Sequence, residues 1–465
     1  MKKFKLFALT ALLALGANAF AAEVGTKFAG ANGVMYQVKT AYTPANPGAG
    51  TDADPGEVIV VAYSQSATAD AVTIPSTIQN TNNAIIAAVP LTNIYNVVGI
   101  AELGKNYADE DDAEVTVFQG AKSASITLPT SVKNIGASSF KNCESATIVI
   151  PTGSQLMTIG ANAFEGCKNL ATFATANATL LIIVGQEAFK GCAKLTTFTA
   201  GQYLASIGAG AFKGTGITTL DLSVCKAFKS EATTDPGTAN VDRWFTDTTD
   251  DYKKNEKLTT VILPTELSAA ATGETNYFHI GANAFDGCSK LVTIGTTANS
   301  YEIPAYVNTI GDEAFVNTGV TKFDLSKNAN IKSFTPTAAS KFWFTKTVAN
   351  TSTSTLQQII LNKAFNDPTN AAKKYTIGAN DLANISTLTK IGTTDGEYQL
   401  PKGAVLVAGM FAGTGLTKLD LSKYDATDME LVALFGDGIS TLTEVKLNAN
   451  TTKLDAEAFA NCTAL

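Results

Sequence analysis

The sequence is almost devoid of histidine, a residue that many catalytic and metal sites require. Its 465 residues include one histidine, His279, which excludes a histidine-rich metal centre and argues against a histidine-based catalytic triad. His279 directly precedes a repeated turn and is interpreted as an ordinary turn residue. Apart from the glycines of that turn, no glycine-rich phosphate loop and no nucleophile motif is visible. We therefore expect no catalytic residues and no cofactor.

Charge is also scarce. Charged residues make up 16% of the chain, the net charge is −7 and the pI is about 5.0. An acidic chain of this kind is poorly suited to nucleic acid or an anionic membrane as its main partner. The acidic run 109–112 and the pair Asp52 and Asp54 could hold calcium, but neither has the ligand spacing of a calcium loop. Both are interpreted as solvated loops, and no metal site is predicted.

Long apolar runs are absent after the first 20 residues. Lys2, Lys3 and Lys5 precede an apolar run at 6–15, and small residues follow it. This pattern predicts a secretory signal peptide at 1–21, with cleavage after Ala19 or Ala21. The run is too short to span a membrane stably. The mature protein is therefore expected to be secreted or held at the cell surface.

What the sequence does contain is a repeat. Nine residues at 159–167 return almost unchanged at 280–288, and weaker copies surround both. The phenylalanines of successive copies set a period close to 24, because they lie 24, 25 and 23 residues apart at Phe140, Phe164, Phe189 and Phe212. Wider gaps further along approximate multiples of that period and predict hidden copies, about thirteen periods in all from Phe140 to Phe459. Such a period is typical of a stacked array of supersecondary units.

A longer sequence repeat is superimposed on the short repeat of about 24 residues. The nine residues 215–223 recur at 318–326 and again at 414–422. We interpret this as the duplication of a block of four basic repeats. The two tryptophans follow the same order, since Trp244-Phe245 and Trp343-Phe344 lie 99 residues apart, which predicts that they are equivalent anchors in the core or at its edge.

Each unit combines a short strand with a turn. In 257–264, Val261 and Leu263 point to one face of a strand and Ile262 to the other. A proline then ends the strand, and an Ile-Gly-x-x-Ala-Phe segment forms a turn in which the glycine permits a tight bend. One such coil cannot bury its apolar face, so stacking of many coils is expected to form the core.

Cysteine is used as a core residue. Five of the six cysteines lie three residues after a motif phenylalanine, where other copies have threonine. Equivalent side chains in stacked coils point in parallel, which suits a disulfide poorly. Reduced, buried thiols are therefore predicted for these five, at Cys143, Cys167, Cys192, Cys288 and Cys462. Cys225 lies outside this pattern and could be exposed.

These residues resemble the BspA-type leucine-rich repeats, whose pattern is Leu-x-x-Ile-x-Leu-Pro, a spacer, and Ile-Gly-x-x-Ala-Phe-x-x-Cys. The resemblance implies a right-handed solenoid with parallel β-strands on its concave face and turns or short helices elsewhere. It also implies a surface protein that binds other proteins, often in adhesion to host or neighbouring cells. It implies no particular ligand.

Three regions are therefore expected. The N-terminal pattern predicts the signal peptide at 1–21, and the resemblance implies an N-terminal β-rich entry or capping region at 22–125 and the repeat solenoid at 126–465. The sequence stops at Leu465, where the next strand should begin, so we expect either a fragment or a last coil that frays.

The leading functional hypothesis is a secreted or cell-surface scaffold that binds a protein ligand, such as host extracellular matrix or another cell surface. A long stack of strands can supply the roughly 800 Å² that each partner contributes to an ordinary interface. Candidate contact residues are those that alternate outward from the repeat strands: Thr197, Thr199, Thr219, Asp221, Thr260, Ile262, Lys322, Asp324, Lys418, Asp420, Glu444 and Lys446.

Two alternatives stay open at this point. A polysaccharide lyase or glycosidase can be built on a parallel β-solenoid, and glycoside hydrolysis needs only two suitably placed carboxylates. A passive spacer would instead hold a further domain away from the cell.

Overall fold

The structure, a computed structural model, describes only part of the chain. The predicted signal peptide and the acidic residues at 52–54 and 109–112 lie outside that part. The described residues are 27–29, 34–40, 57–63, 72–74, 77–79, 94–100, 117–118, 120–122, 124–145, 147–173, 177–227, 244–245, 255–267, 278–331, 343–344, 354–367, 369–370, 374–377, 381–424, 430–431, 434–436, 439–454 and 457–465.

Within these ranges the chain forms 28 short strands joined by turns, with no α-helix. The strands are β1 (Lys27–Ala29), β2 (Val34–Thr40), β3 (Glu57–Tyr63), β4 (Val72–Thr73), β5 (Thr77–Gln79), β6 (Ile94–Ile100), β7 (Ile126–Thr127), β8 (Asn134–Ile135), β9 (Thr147–Val149), β10 (Thr158–Ile159), β11 (Thr172–Phe173), β12 (Ile183–Val184), β13 (Thr197–Thr199), β14 (Ser206–Ile207), β15 (Thr219–Asp221), β16 (Thr260–Ile262), β17 (Phe278–Ile280), β18 (Thr293–Gly295), β19 (Val307–Ile310), β20 (Lys322–Asp324), β21 (Gln358–Ile360), β22 (Tyr375–Thr376), β23 (Lys390–Gly392), β24 (Ala404–Val405), β25 (Lys418–Asp420), β26 (Glu430–Leu431), β27 (Glu444–Lys446) and β28 (Lys453–Leu454).

Most coils of the array contribute two strands to the described part of the chain. The leucine strands follow the motif phenylalanine and are β7, β9, β11, β13, β15, β16, β18, β20, β21, β23, β25 and β27. The glycine strands precede it, as in the Thr-Ile pair before Gly160, and are β8, β10, β12, β14, β17, β19, β22, β24, β26 and β28. All pairings among these strands are parallel. The sequence pattern predicted one strand per coil, so the glycine strands are an addition.

The N-terminal strands lead into this stack. β1, β2 and β3 pair antiparallel in succession, and β3 then pairs parallel with β6. β6 continues in parallel into β8, the first glycine strand. β4 similarly pairs parallel with β7, the first leucine strand. The division of domains at residue 126 stays a prediction.

A column of phenylalanine rings forms the centre of the core. Phe140 and Phe164 are fully buried and their ring centroids lie 5.0 Å apart, and Phe164 and Phe189 stack at 5.1 Å. Phe173 and Phe198, from the leucine strands, meet the column edge-on. The expected apolar ladder is therefore confirmed.

Trp244-Phe245 and Trp343-Phe344 belong to this column. The ring centroid of Phe245 lies 5.9 Å from that of Phe212, and the ring centroid of Phe344 lies 5.5 Å from that of Phe315. Both residues therefore occupy the place of the motif phenylalanine. The tryptophans take the place of the preceding alanine and are buried. They are thus core residues in equivalent coils, as their spacing predicted.

The number of coils differs from the sequence-based expectation. Leu382 replaces a ring of the column, because its turn bonds to the next coil in the usual way, with Asn384 N–H donating to Ala412 O at 2.8 Å. Eleven steps of the described column therefore separate Phe140 from Phe459, rather than thirteen. The duplicated block likewise holds three coils rather than four, since β16 and β18 are the only described leucine strands between β15 and β20. The wide spacings thus contain hidden coils, at Phe245, Phe344, Leu382 and Phe435, but fewer of them than the 24-residue period predicts.

Glycine is required at two positions of the coil for different physical reasons. A Cβ atom on Gly185 would lie 2.6 Å from the Ala161 nitrogen of the preceding coil, so this glycine is required by close backbone approach. The predicted reason, a tight bend, applies instead to Gly191, whose φ is 75°. Asparagine adopts the same left-handed conformation at the equivalent Asn142, with φ 57°.

All six cysteines are free and buried, as predicted for the ladder positions. Cys167 Sγ donates to Phe140 O of the preceding coil at 2.9 Å. The threonine at the same place in other copies, such as Thr215, bonds instead to the phenylalanine carbonyl of its own turn. The expectation that Cys225 is exposed is wrong, because its side chain is 0% exposed and Sγ contacts Gly201 O.

Phe164→Ala should lower the free energy of unfolding by about 3–5 kcal/mol, because it empties a buried aromatic site between two stacked rings. Urea unfolding measures this loss, with the exposed Leu180→Ala as the control. Hydrogen exchange should rise mainly in the neighbouring coils, since contacts in a solenoid are local. An even rise along the whole array would contradict this account.

The thiols of the native protein should react very slowly with a thiol-specific chromogenic reagent. Burial raises the pKa of Cys143 to about 11 and that of Cys225 to about 12, so little thiolate exists at pH 8. Denaturation without reductant should release six reactive thiols per chain. Two or more disulfides among them would show that the ladder is oxidised.

Candidate binding surface

The leucine strands place alternate side chains in two outward rows. In the first row, Thr197, Thr219 and Thr260 are direct neighbours on paired strands. The second row contains Thr199, Asp221 and Ile262 on the same strands, while the intervening residues are buried. These six predicted contact residues are therefore brought together on one sheet.

The other six predicted residues lie further along the array. Lys322 and Asp324 are on β20, in a sheet of three strands. On β25 and β27, Lys418 neighbours Glu444 and Asp420 neighbours Lys446. Lys418, Glu444 and Lys446 are exposed, whereas Lys322, Asp324 and Asp420 are half-buried.

The predicted rows do not run unbroken along the array. After β18 the chain leaves the sheet and returns at Tyr301, whose carbonyl accepts the Asp324 N–H at 3.1 Å. After β23 it does so again, and Tyr398 O accepts the Asp420 N–H at 3.1 Å. We name the two excursions loop 1 (295–301) and loop 2 (392–398). The leucine strands on either side of each loop belong to separate sheets.

Both loops close tightly at a glycine. A Cβ atom on Gly295 would lie 2.5 Å from Ser300 O, and one on Gly392 would lie 2.6 Å from Glu397 O. The sequence carries a signal for this, because Ile-Gly-Thr-Thr at 294–297 recurs at 391–394, and each copy is followed by a tyrosine and then a proline. That repetition could have predicted the two interruptions.

The first row changes chemistry between the two loops. Before loop 1 it consists of Thr219, Thr260 and Thr293. Between the loops the corresponding residues are Lys322, Gln358 and Lys390. A shallow recess of about 230 Å³ lies over this stretch, lined by Tyr301, Thr321, Lys322, Gln357, Gln358, Thr389 and Lys390.

Loop 2 reaches across this recess. Asp395 Oδ2 accepts a hydrogen bond from Lys322 Nζ at 2.8 Å, although two strand steps separate Lys322 from the strand that leads into loop 2. The same ammonium lies 5.8 Å from the centroid of the Tyr301 ring. The hydrogen bond from Lys322 lowers the pKa of Asp395, and Gln358 and Lys390 contribute further. Tyr301, Gln358, Lys390 and Asp395 were not among the predicted contacts.

Some predicted contact residues have a structural task. The carboxylates of Asp221, Asp324 and Asp420 each accept the backbone N–H two residues later, at 2.8–2.9 Å. This explains the repeated Asp-Leu-Ser run as a turn held by its aspartate. Near the end of the array, Lys418 pairs with Glu444 at 2.9 Å and Lys446 with Asp420 at 3.7 Å. Exposed pairs of this kind stabilise the fold little.

The described part of the chain shows neither a metal centre nor a membrane span. Among those residues, no group of three or more histidine, cysteine, aspartate or glutamate side chains is placed to hold a metal ion. No helix there is long and apolar enough to cross a bilayer. The interpretation of His279 as a turn residue is wrong, because it lies on β17, a glycine strand, and pairs with Thr309 of β19.

A family profile, the BspA type leucine rich repeat region, matches the sequence in six copies at residues 113–233, 252–389 and 405–465. These matches cover more than half of the chain. The chain belongs to the BspA-type leucine-rich repeat family. The two-strand coils and the phenylalanine column are accordingly those of a leucine-rich repeat solenoid.

Several solved structures are similar, and no curated protein matches significantly. A leucine-rich repeat protein from Bacteroides ovatus is 18% identical, with 91% of each chain covered and a TM-score of 0.37. The pneumococcal vaccine antigen PcpA is 18% identical over 79% of this chain and 93% of its own, with a TM-score of 0.34. A leucine rich cell surface protein from Faecalibacterium prausnitzii is 16% identical over 92% and 96%, with a TM-score of 0.30.

Asp324→Ala should lower the free energy of unfolding by about 1 kcal/mol or more, because the Ser326 N–H loses a charged acceptor. Asp324→Asn keeps an acceptor oxygen and should fall between that variant and the wild type. Urea unfolding of the three proteins measures the difference. Equal stability of the alanine variant and the wild type would show that the Asp324 carboxylate does not stabilise the turn.

Proposed function

We propose that this protein is a secreted or cell-surface scaffold that binds a protein ligand through the outward rows of its leucine strands. The observation that carries the proposal is the in-register alignment of those strands, which repeats the same outward positions from coil to coil. At a strand spacing of about 4.8 Å, twelve leucine strands extend over about 50 Å. That length can accommodate the roughly 800 Å² that one partner contributes to an ordinary interface.

The predicted leader and the family favour a location outside the cytoplasm. Leucine-rich repeat proteins generally bind proteins, and this supports a role in adhesion to host extracellular matrix or to a neighbouring cell. The outward rows offer chemistry suited to such contacts, with hydroxyl groups in the first block and charged groups in the later ones. A scaffold also needs no catalytic group, in keeping with the scarcity of histidine.

The partner can be found by affinity capture with the mature protein against host matrix proteins and the surfaces of neighbouring bacteria. Lys322→Glu combined with Lys418→Glu should then weaken binding at least tenfold, because both residues lie in the first row. The double variant should remain folded but lose some stability, because Lys322 is half-buried and each new glutamate lies beside a carboxylate, Asp395 or Glu444. Biolayer interferometry measures affinity, and thermal unfolding measures stability.

Lys141→Glu is the matched control, since Lys141 lies in a phenylalanine turn beside Glu165 and not on a leucine strand. It should leave affinity unchanged. Normal binding by the double variant, together with weakened binding by Lys141→Glu, would transfer the site to the turns and overturn the proposal.

A further inference from the structure

The recess between loop 1 and loop 2 is a bounded part of an otherwise open surface. Tyr301 of loop 1 forms one wall, and loop 2 follows β23 on the other side. The floor is three leucine strands wide and carries the half-buried residues Lys322, Gln358 and Lys390 in one row. The two lysines are two strand steps apart, or about 9–10 Å. One carboxylate side chain fits between them.

In the structure that place is taken by Asp395. Its carboxylate reaches Lys322 from the far side of the floor, and Lys390 also lowers its pKa. The Asp395 side chain is 67% exposed, whereas Lys322 is 24% exposed. An ion pair with so exposed a partner stabilises the structure only weakly. Another carboxylate can therefore replace Asp395 at little cost.

The preceding block offers an internal comparison. There the corresponding floor residues are Thr219, Thr260 and Thr293. The residue of loop 1 that corresponds to Asp395 is Ala298. The two lysines and the loop carboxylate therefore occur together on the strands between the two loops, and all three are absent from the strands before loop 1 and from loop 1 itself. This is expected if loop 2 carries a carboxylate that matches the floor.

The charges of the floor favour an acidic partner. Two lysines face one exposed carboxylate, and Gln358 Nε2 is buried between them without a hydrogen bond of good geometry. The carboxylate of the nearby Asp324 already accepts a hydrogen bond from the Ser326 N–H. When Asp395 leaves, the floor has two ammonium groups and an amide donor around one vacant position. An incoming carboxylate can accept hydrogen bonds from all three.

We propose that this recess binds a glutamate or aspartate side chain of the protein partner, which displaces Asp395 from Lys322. Without a partner, the Asp395 carboxylate occupies the position of the ligand carboxylate and is held there only weakly. The inference rests on the proposed function and specifies the chemistry of the partner at one place on the leucine strands.

The probe is a fluorescent eight-residue peptide with one central glutamate, and its twin has glutamine instead. Fluorescence polarisation with the full chain at low salt should detect the glutamate peptide only. Asp395→Asn should tighten its binding about two- to fivefold, the ratio that corresponds to the loss of a weak competing ion pair. Lys322→Ala and Lys390→Ala should each weaken it by a similar factor or more.

The matched control is Ala298→Asn in loop 1, which should leave the affinity unchanged. Equal binding of the two peptides, no binding by either, or no gain from Asp395→Asn would overturn the inference. A uronic-acid oligosaccharide that binds while the glutamate peptide does not would also overturn it, by assigning the recess to a polysaccharide.

A failure here can be separated from a failure of the proposed function. Lys418→Glu lies outside the recess and reports on the leucine strands as a whole, whereas Asp395→Asn reports on the recess alone. If the captured partner responds to Lys418→Glu but not to Asp395→Asn, the scaffold proposal stands and this inference falls.

Discussion

The structure depends on how closely each coil lies against the one before it. At the glycine strands the backbones approach until a single methyl group on Gly185 has no room, while the Gly185 N–H donates to Ile159 O at 2.8 Å. This spacing aligns equivalent positions of successive coils. The phenylalanine column, the cysteine ladder and the outward rows all follow from that alignment, because equivalent positions of successive coils lie at the same depth.

The sequence predicts the repeated parts of this arrangement well. Phe164, Cys167 and the Trp-Phe pairs are placed in the core as expected, because burial at a fixed period leaves a clear pattern. The number of coils was overestimated, because spacing alone cannot distinguish a degenerate coil from a long loop. The glycine strands were missed because two residues such as Thr158 and Ile159 are too short to show an alternating pattern.

The candidate binding surface could likewise be predicted only in part from the sequence. Alternation along a leucine strand correctly separates buried from outward positions, as at Thr197 and Phe198. It gives no information about the loops between strands, so Asp395 and its contact with Lys322 could not be predicted. A regular stack thus supplies a repeated surface, and the irregular loops make one part of that surface differ from the next.

The close approach of coils is tested most directly at Gly185. Gly185→Ala should lower the free energy of unfolding by about 1–3 kcal/mol, the usual cost of forcing an extra methyl group into a packed site. Gly191→Asn should stay close to the wild type, because Asn142 holds the equivalent left-handed conformation in the native chain. Urea unfolding of both variants would contradict the account if Gly185→Ala proved as stable as the wild type.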